Sequence, residues 1–257
     1  MSYLYAIILG IVEGVSEFLP ISSTGHLIIA GHLLNLPASE FWKSFEVIIQ
    51  LGAILSVAAL YGKTLWQKKD LAVKIIVAFI PTAVLGLIFY KFIKQHLLGN
   101  LPVVLWALLI GGIIMIVLEK YYSHRTPLAE ETDHISYKHC LILGFCQSLA
   151  MIPGVSRSAA TIMGGLALKI PRRTIVEFSF LLALPTMLAA SGLDLVKTGA
   201  NFSGQEYLLL AVGFVSSFIV ALFSVKWLLG YIQKNSFISF GVYRIVVAGF
   251  FWLLLLR

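Results

Sequence analysis

Long apolar runs, separated by short polar segments, follow one another along almost the whole chain. Five of them are "VIIQLGAILSVAALY", "IIVAFIPTAVLGLIFY", "VVLWALLIGGIIMIVLE", "YLLLAVGFVSSFIVALFSVKWLL" and "VYRIVVAGFFWLLLL". A helix needs about 20 mainly apolar residues to cross a bilayer core, and these runs approach that length. The pattern therefore predicts an all-α polytopic membrane protein. Because no basic segment followed by a small-residue cleavage site opens the chain, we expect no removable signal peptide.

Two further apolar stretches are interrupted by polar residues. The stretch 5–34 is broken at "PISSTG", and the stretch 140–168 is broken at "PGVSRS". Neither arm of either stretch is long enough to cross a core of about 30 Å at about 1.5 Å per residue. Each stretch is therefore predicted to be a re-entrant helix–loop–helix hairpin whose polar tip is sheltered inside the protein, because irregular backbone at membrane depth needs such shelter.

The two halves of the chain resemble each other. The segment "ILGIVEGVSEFLPISST" corresponds to "ILGFCQSLAMIPGVSRS", and the polar interval "KYYSHRTPLAEETDHISYKH" connects the halves. The matched pairs are Gly10 with Gly144, Glu13 with Gln147, Ser22 with Ser156, and Glu46 with Glu177. We expect one integral membrane domain, 1–257, built from two repeats of about 1–123 and 135–257. Each would hold one hairpin and three full spans; three is odd, so the second repeat would be inverted, with a binding site between the repeats.

Composition and charge support this interpretation. The chain is 59% hydrophobic and 12% charged, whereas soluble domains carry about 25% charged residues. Although the net charge is +7, basic residues of membrane proteins mark cytosolic loops more often than nucleic-acid sites. In the predicted topology, twelve basic residues fall around 62–74, 119–138, 169–173 and 226–237, and five fall on the opposite face. The first face is predicted to be cytosolic, so the first hairpin opens outward.

The first hairpin carries two carboxylates. Glu13 and Glu17 are four residues apart and share a helix face. Ionisable residues inside a membrane segment indicate function by default because they are expensive to bury. Paired carboxylates hold divalent cations beside substrate phosphates or act as a general base. Alternatively, one is protonated, or both bond to loop amides.

The same hairpin carries hydroxyls and an imidazole, in Ser22, Ser23, Thr24 and His26. An attacking hydroxyl needs a neighbouring base, and a leaving group needs a proton donor, so this group of residues favours catalysis. The alternative is structural: hydroxyls in helices bond to the backbone, and the histidine packs.

The second tip supplies a cation. Arg157 lies between Ser156 and Ser158, after Gly154 and before an apolar segment. An arginine at membrane depth needs anions, and its planar fork matches phosphate oxygens. Amides at the start of the following helix add to an anion site. Alternatively, Arg157 forms a structural pair with Glu13 or Glu17.

The two motifs "EGVSEFLPISSTGH" and "PGVSRSAAT" resemble the signature motifs of the undecaprenyl pyrophosphate phosphatase family, also called the bacitracin-resistance proteins. The resemblance extends over essentially the whole chain. It implies a multi-pass enzyme of the bacterial cytoplasmic membrane that removes the terminal phosphate of undecaprenyl pyrophosphate and so recycles the lipid carrier for peptidoglycan. It also implies inverted repeats, a divalent cation (Mg²⁺ or Ca²⁺), and an active site that opens to the periplasmic face.

Roles follow from the residues and the resemblance together. We expect Ser23 to be the nucleophile, with Ser22 as the alternative; the other expected catalytic or metal-binding residues are Glu17 (base or metal ligand), Glu13 (second metal ligand), His26 (acid–base partner) and Arg157 (pyrophosphate clamp). Expected substrate-binding residues are Ser22, Thr24, Gly154, Ser156, Ser158, Thr161 and Gln50, although packing suits Gln50 equally well.

Partners and rival functions complete the expectation. The expected partners are a polyprenyl pyrophosphate and membrane lipids, and no nucleic acid is expected. The sequence leaves open whether the protein forms a homodimer. The main rival function is a transporter or flippase for polyprenyl phosphate that uses the same midplane site. The combination of a hydroxyl, a histidine and an arginine favours chemistry over transport, because a carrier needs no nucleophile.

Overall fold

The computed structural model describes residues 2–36, 39–97, 100–122, 135–198 and 202–255, and all regular structure in these ranges is helical. The ten α-helices are α1 (Tyr3–Ser16), α2 (Ser23–Leu33), α3 (Glu40–Gln67), α4 (Lys69–Phe92), α5 (Leu101–Tyr122), α6 (Tyr137–Ser148), α7 (Arg157–Ala167), α8 (Arg172–Thr198), α9 (Gly204–Ile232) and α10 (Ile238–Leu255). A π-helical turn (Ile93–Leu97) and a 3₁₀ turn (Leu149–Met151) add to them. Most of the predicted connection between the halves, 123–134, lies outside the described residues.

Five of the described helices, α3, α4, α5, α8 and α9, are long and apolar enough to cross a membrane. Their outward faces carry large apolar side chains, such as Leu87 (70% exposed) on α4 and Phe223 (69% exposed) on α9. Apolar surface on this scale needs a lipid or protein partner. The predicted all-α polytopic fold is therefore confirmed. The sixth predicted span corresponds to α10, which is shorter, with 18 residues.

Four short helices form two hairpins at the predicted positions. Helices α1 and α2 pack against each other, as do α6 and α7, and their lengths are 14, 11, 12 and 11 residues. Such helices extend only about 17–21 Å. The chain breaks at "PISSTG" and "PGVSRS" are thus confirmed. The inverted relation of the two halves, and their boundaries, stay predictions.

Helices from the two halves interlock. Helix α1 packs on α9, α6 packs on α4, and α10 packs on α5. Glycines allow the close approach of α1 and α9: a Cβ on Gly10 would lie 2.6 Å from the carbonyl oxygen of Gly213, and one on Gly14 would lie 2.6 Å from that of Ser217. Small residues of this kind let membrane helices pack backbone to backbone. Each hairpin is thereby wedged against helices of the other half.

A single arginine of α10 joins the two hairpin tips. Arg244 is fully buried, and its guanidinium donates hydrogen bonds to the carbonyl oxygens of Pro20 in the first tip (3.3 Å) and of Gly154 and Val155 in the second tip (both 2.9 Å). It also donates to two carbonyls of α5, at 3.0 and 3.4 Å. The three tip carbonyls lie outside regular helix and have no helix partner. The guanidinium therefore satisfies these carbonyls, and the carbonyls together satisfy its buried charge.

A second connection between the tips comes from Ser158. Its buried hydroxyl donates to the carbonyl oxygen of Leu19 at 3.0 Å. The ring of Phe18 in the first tip also meets Phe180 of α8 edge to face, at 5.2 Å between centroids. The tips are therefore held in register by both polar and aromatic contacts.

We expect Arg244→Lys to lower the stability of the folded protein severely. A lysine ammonium has three donors and cannot span carbonyls on three segments, and each carbonyl left buried without a partner costs roughly 1–3 kcal/mol. Thermal unfolding of the purified protein in detergent should show a much lower Tm. Arg173→Lys is the control, because Arg173 is exposed and pairs with Glu177 of its own helix. A wild-type Tm for Arg244→Lys would contradict the assigned role.

Candidate active site

A pocket with a cavity volume of about 100 Å³ lies between the two hairpin tips. The residues that line it are Glu17, Ser22, Ser23, Thr24, Ala150, Pro153, Gly154, Ser156, Arg157 and Met187. Hydroxyls, a carboxylate and a guanidinium form one part of the wall, and apolar side chains form another. Both halves of the chain contribute residues to this pocket, as the repeat pattern predicts.

The carboxylate of Glu17 is the centre of the polar wall. One of its oxygens accepts a hydrogen bond from the Ser23 hydroxyl, and the other accepts a hydrogen bond from Arg157 at 2.7 Å. Ser23 begins α2 and Glu17 directly follows α1, so the turn of the first hairpin brings them together. A hydroxyl, a carboxylate and a guanidinium are therefore contiguous, although Arg157 comes from the other half of the chain.

Arg157 is held on several sides. Besides Glu17, its guanidinium donates to the carbonyl oxygen of Ser179 on α8 at 2.9 Å, and it lies 5.7 Å from the ring centroid of Phe18. The Nε–H is buried and has no hydrogen-bond partner among the described residues. The ion pair with Glu17, which was the alternative to a role of Arg157 in phosphate binding, is thus present, and it fixes the orientation of the guanidinium in the pocket wall.

Two serines with unusual backbone conformations occupy matching places in the tips. Ser22 and Ser156 both have φ +75°, and each side chain caps the following helix, by accepting from Gly25 (3.4 Å) and Ala159 (3.2 Å). A non-glycine residue in this region costs about 1–3 kcal/mol and persists only where its surroundings enforce it. Gly154, with φ +94°, completes the second tip. The strain lies at the pocket wall.

Several residues that the sequence suggests for substrate binding lie elsewhere. Ser158 and Thr161 are fully buried, and their hydroxyls donate to the carbonyls of Leu19 and Arg157. Gln50 lies half-buried on α3, outside the pocket lining. In this structure both hydroxyls already donate to buried carbonyls, and the expected role of Ser158 and Thr161 in substrate binding stays a prediction.

His26 also departs from the expectation. Its Nδ1 lies 2.7 Å from the carbonyl oxygen of Ser22, and its Nε2 lies 2.7 Å from the hydroxyl of Tyr243 on α10. The expected contact with Ser23 does not form, because the Ser23 hydroxyl turns across the tip to Glu17. His26 is therefore not the direct proton acceptor from Ser23 in this structure.

Glu13 is the candidate for holding a cation. It lies one turn before Glu17 on α1 and is fully buried, and in the described part of the chain neither of its oxygens has a hydrogen-bond partner. The carboxylate of Glu46 on α3 is near enough to act on it electrostatically. No group of three potential ligands is close enough to form a cage among the described residues. Two carboxylates still fit Mg²⁺, which commonly takes one or two carboxylates plus water and substrate phosphates.

Sequence reasoning missed two residues that shape the site, Tyr243 and Arg244. Both lie within the run "VYRIVVAGFFWLLLL", which we interpreted only as a membrane span. The signal was available, because an arginine inside an apolar run indicates a functional or structural partner by the same argument that selects Arg157. What the sequence alone does not contain is the identity of those partners.

Comparison with known proteins identifies the family of the chain. A family model described as bacitracin resistance protein BacA matches residues 6–250. The chain is 49% identical over 247 residues to an undecaprenyl-diphosphatase of Bdellovibrio bacteriovorus, with 96% of this chain and 94% of that protein covered. It is 48% identical to the undecaprenyl-diphosphatase of Aquifex aeolicus, with 94% of each chain covered. It is 44% identical to that of Methanococcus aeolicus, with 96% of each chain covered. The chain belongs to the bacitracin resistance protein family.

Proposed function

We propose that this membrane protein is an undecaprenyl-diphosphatase, which hydrolyses undecaprenyl pyrophosphate to undecaprenyl phosphate and inorganic phosphate. Relatives that carry this name match nearly the whole chain. One observation carries the proposal from the site itself: the Glu17 carboxylate accepts hydrogen bonds from both the Ser23 hydroxyl and Arg157 at the wall of one pocket. The product would return the lipid carrier to cell-envelope synthesis.

The first step is attack by Ser23. Its oxygen forms a bond to the terminal phosphorus while its proton passes to the Glu17 carboxylate, to which it is already hydrogen-bonded. The bond from that phosphorus to the bridging oxygen breaks, and undecaprenyl phosphate leaves. Arg157, in the same pocket wall, stabilises the negative charge on the transferring phosphoryl group, which is the main requirement in phosphoryl transfer.

The second step releases the phosphate from Ser23. Water attacks the phosphorus of the phosphoserine, both of its hydrogens stay on the phosphate that forms, and the oxygen–phosphorus bond to Ser23 breaks. The proton that Glu17 took in the first step returns to the Ser23 oxygen, and inorganic phosphate leaves. The residues and charges of the site are then as they were at the start.

Glu13 and Glu17 are the residues that would hold a divalent cation. When bound, the ion would neutralise pyrophosphate charge that Arg157 alone does not balance. The unpartnered oxygens of Glu13 support this assignment, because a buried carboxylate without a hydrogen-bond donor needs a counter-charge or a proton.

The apolar part of the pocket suits the lipid tail. Ala150, Pro153 and Met187 line it, and the neighbouring side chains of Leu149 and Ile152 are 58% and 39% exposed on the outer surface. We infer that the pyrophosphate lies against Arg157 and Ser23 while the prenyl chain passes these apolar residues into the bilayer. A carrier of polyprenyl phosphate would also need a lipid path, but it would not need a hydroxyl bonded to a base.

The charge distribution supports a location in the bacterial cytoplasmic membrane with the pocket open to the periplasm. The loop-side basic residues cluster at the ends of α3, α5, α8 and α9 that the positive-inside rule places in the cytosol. Membrane lipids are then partners of the outer helix faces. Arg125 and Arg257, which also enter this count, lie outside the described residues.

We expect Ser23→Ala to abolish turnover while leaving substrate binding largely intact, because Arg157 and the carboxylates remain. Ser22→Ala should keep measurable activity, because the Ser22 hydroxyl caps α2 by accepting from Gly25, whereas it is the Ser23 hydroxyl that donates to Glu17. The measurement is phosphate release from C55 pyrophosphate by purified protein, with substrate binding followed separately. Near-normal turnover in Ser23→Ala would point to Ser22 or to direct attack by water.

Removal of divalent cations should also stop the reaction. We expect a chelator to abolish phosphate release and added Mg²⁺ or Ca²⁺ to restore it. Glu13→Gln keeps the shape but removes one negative charge, so the cation concentration for half-maximal activity should rise about tenfold or more, equivalent to about 1.4 kcal/mol of binding. Glu177→Gln is the matched control, since Glu177 pairs with Arg173 on α8. Full activity in the presence of the chelator would exclude the assigned metal role.

Orientation can be tested with two glutamine positions. In a background without Cys140 and Cys146, a cysteine at exposed Gln205, in the first turn of α9, should react with an impermeant thiol reagent added to intact cells. A cysteine at exposed Gln67, the last residue of α3, should react only after permeabilisation. The reverse pattern would invert the proposed orientation.

A further inference from the structure

The side chains of His26 and Tyr243 form a close pair beside the first tip. The Tyr243 hydroxyl lies 2.7 Å from Nε2 of His26, and the two rings are nearly parallel, with 7° between their planes and 5.6 Å between centroids. Neither residue is among those that line the pocket. The pair therefore reaches the site through a residue that does line the pocket, Ser22.

The hydrogen bonds define the protonation of the imidazole. The carbonyl oxygen of Ser22 can only accept, so Nδ1 of His26, at 2.7 Å, carries the hydrogen. In a neutral imidazole Nε2 is then the acceptor, and the Tyr243 hydroxyl donates to it. Both ring nitrogens therefore have hydrogen-bond partners, and these two bonds fix the orientation of the ring.

The residue that this arrangement holds is Ser22. Its carbonyl oxygen accepts two hydrogen bonds from His26, one from Nδ1 at 2.7 Å and one from the backbone N–H at 3.2 Å. Ser22 has φ +75°, a conformation that needs enforcement by its surroundings. Because Ser23 follows directly, the orientation of the Ser22 peptide decides where the Ser23 hydroxyl points.

The second tip is a built-in comparison. Ser156 has the same φ of +75°, but among the described residues its carbonyl oxygen accepts only the backbone N–H of Ala160, at 3.0 Å, whereas at the first tip the His26 side chain donates as well. The imidazole contact is therefore not required for the backbone conformation as such. It is present at the tip that carries the nucleophile, where small displacements of a reacting atom have large effects on rate.

We propose that His26 and Tyr243 are a positioning pair: Tyr243 orients the imidazole, and the imidazole Nδ1–H holds the Ser22 carbonyl so that Ser23 faces Glu17. This inference rests on the proposed phosphatase function, with Ser23 as nucleophile. His26 then needs no proton transfer of its own. Tyr243 precedes Arg244 on α10, so one turn of this helix holds the first tip through two separate contacts.

The test compares a variant that keeps a hydrogen-bond donor at position 26 but has no acid–base function with a variant that has no donor at that position. His26→Asn places an amide N–H near the position of Nδ1, and His26→Ala removes it. We expect His26→Ala to lower kcat about tenfold or more with KM changed less than about twofold, as expected for a misplaced nucleophile. His26→Asn should recover to within about threefold of wild type. If Asn were as inactive as Ala, the imidazole would be needed for proton transfer and the proposal would fail.

A double-mutant cycle tests Tyr243. We expect Tyr243→Phe to lower kcat about threefold or more in the wild-type background and to have no further effect in the His26→Ala background, because two residues that act through one contact are not additive. Tyr231→Phe is the matched control, since it removes a hydroxyl that also lies 2.7 Å from its partner, Ser239, and it should leave kcat unchanged. An equal effect of Tyr243→Phe in both backgrounds would show that Tyr243 does not act through His26.

A readout without substrate separates this proposal from the proposed function. With Ser23→Cys in a background lacking Cys140 and Cys146, the alkylation rate at position 23 reports its placement in the pocket. His26→Ala should change that rate about threefold or more, and His26→Asn should not. An unchanged rate in both variants would overturn the positioning role, whereas absent phosphate release by the wild-type protein would count only against the phosphatase function.

Discussion

The buried guanidinium of Arg244 is the constraint on which the arrangement of the site depends. Two hairpins that break inside an apolar protein leave backbone carbonyls without helix partners, and a buried cation needs acceptors; each requirement satisfies the other. Because Arg244 donates to both tips and to α5, the tips cannot separate without exposing a charge and several carbonyls together. The pocket between them is consequently defined by α10, a helix that supplies no residue to its lining.

Within that frame, Glu17 joins chemistry from the two halves. Its two oxygens meet Ser23 of the same hairpin and Arg157 of the other, and Arg157 is anchored in turn by Ser179. Charges placed in this way are already oriented before substrate arrives, so little reorganisation is needed as phosphoryl charge develops. A lipid with a pyrophosphate head group explains why so many polar groups lie in an apolar protein.

The two tips share a backbone and differ in chemistry. Where the first hairpin has Glu13, the second has Gln147, whose amide donates to the hydroxyls of Thr82 and Thr186, both at 3.0 Å. The amide nitrogen of Gln147 therefore has hydroxyl partners on neighbouring helices, although its oxygen has none among the described residues, whereas neither oxygen of Glu13 has a partner there. Ser22 and Ser156 therefore share a structural role in forming the tips. The carboxylates, which the first hairpin alone carries at these positions, set the chemistry of that tip apart.

The sequence by itself determined the class of fold, the positions of both hairpins and the core of the site, because long apolar runs, prolines and ionisable residues at membrane depth leave few alternatives. Glu17, Ser23 and Arg157 could be selected in this way. The partners of His26 and the roles of Ser158, Thr161 and Arg244 could not, because they depend on carbonyls and hydroxyls that are distant in the chain, such as Tyr243, which lies 217 residues from His26. Hydrogen bonds of this kind follow from how helices pack, and only the tertiary structure decides which donor reaches which acceptor.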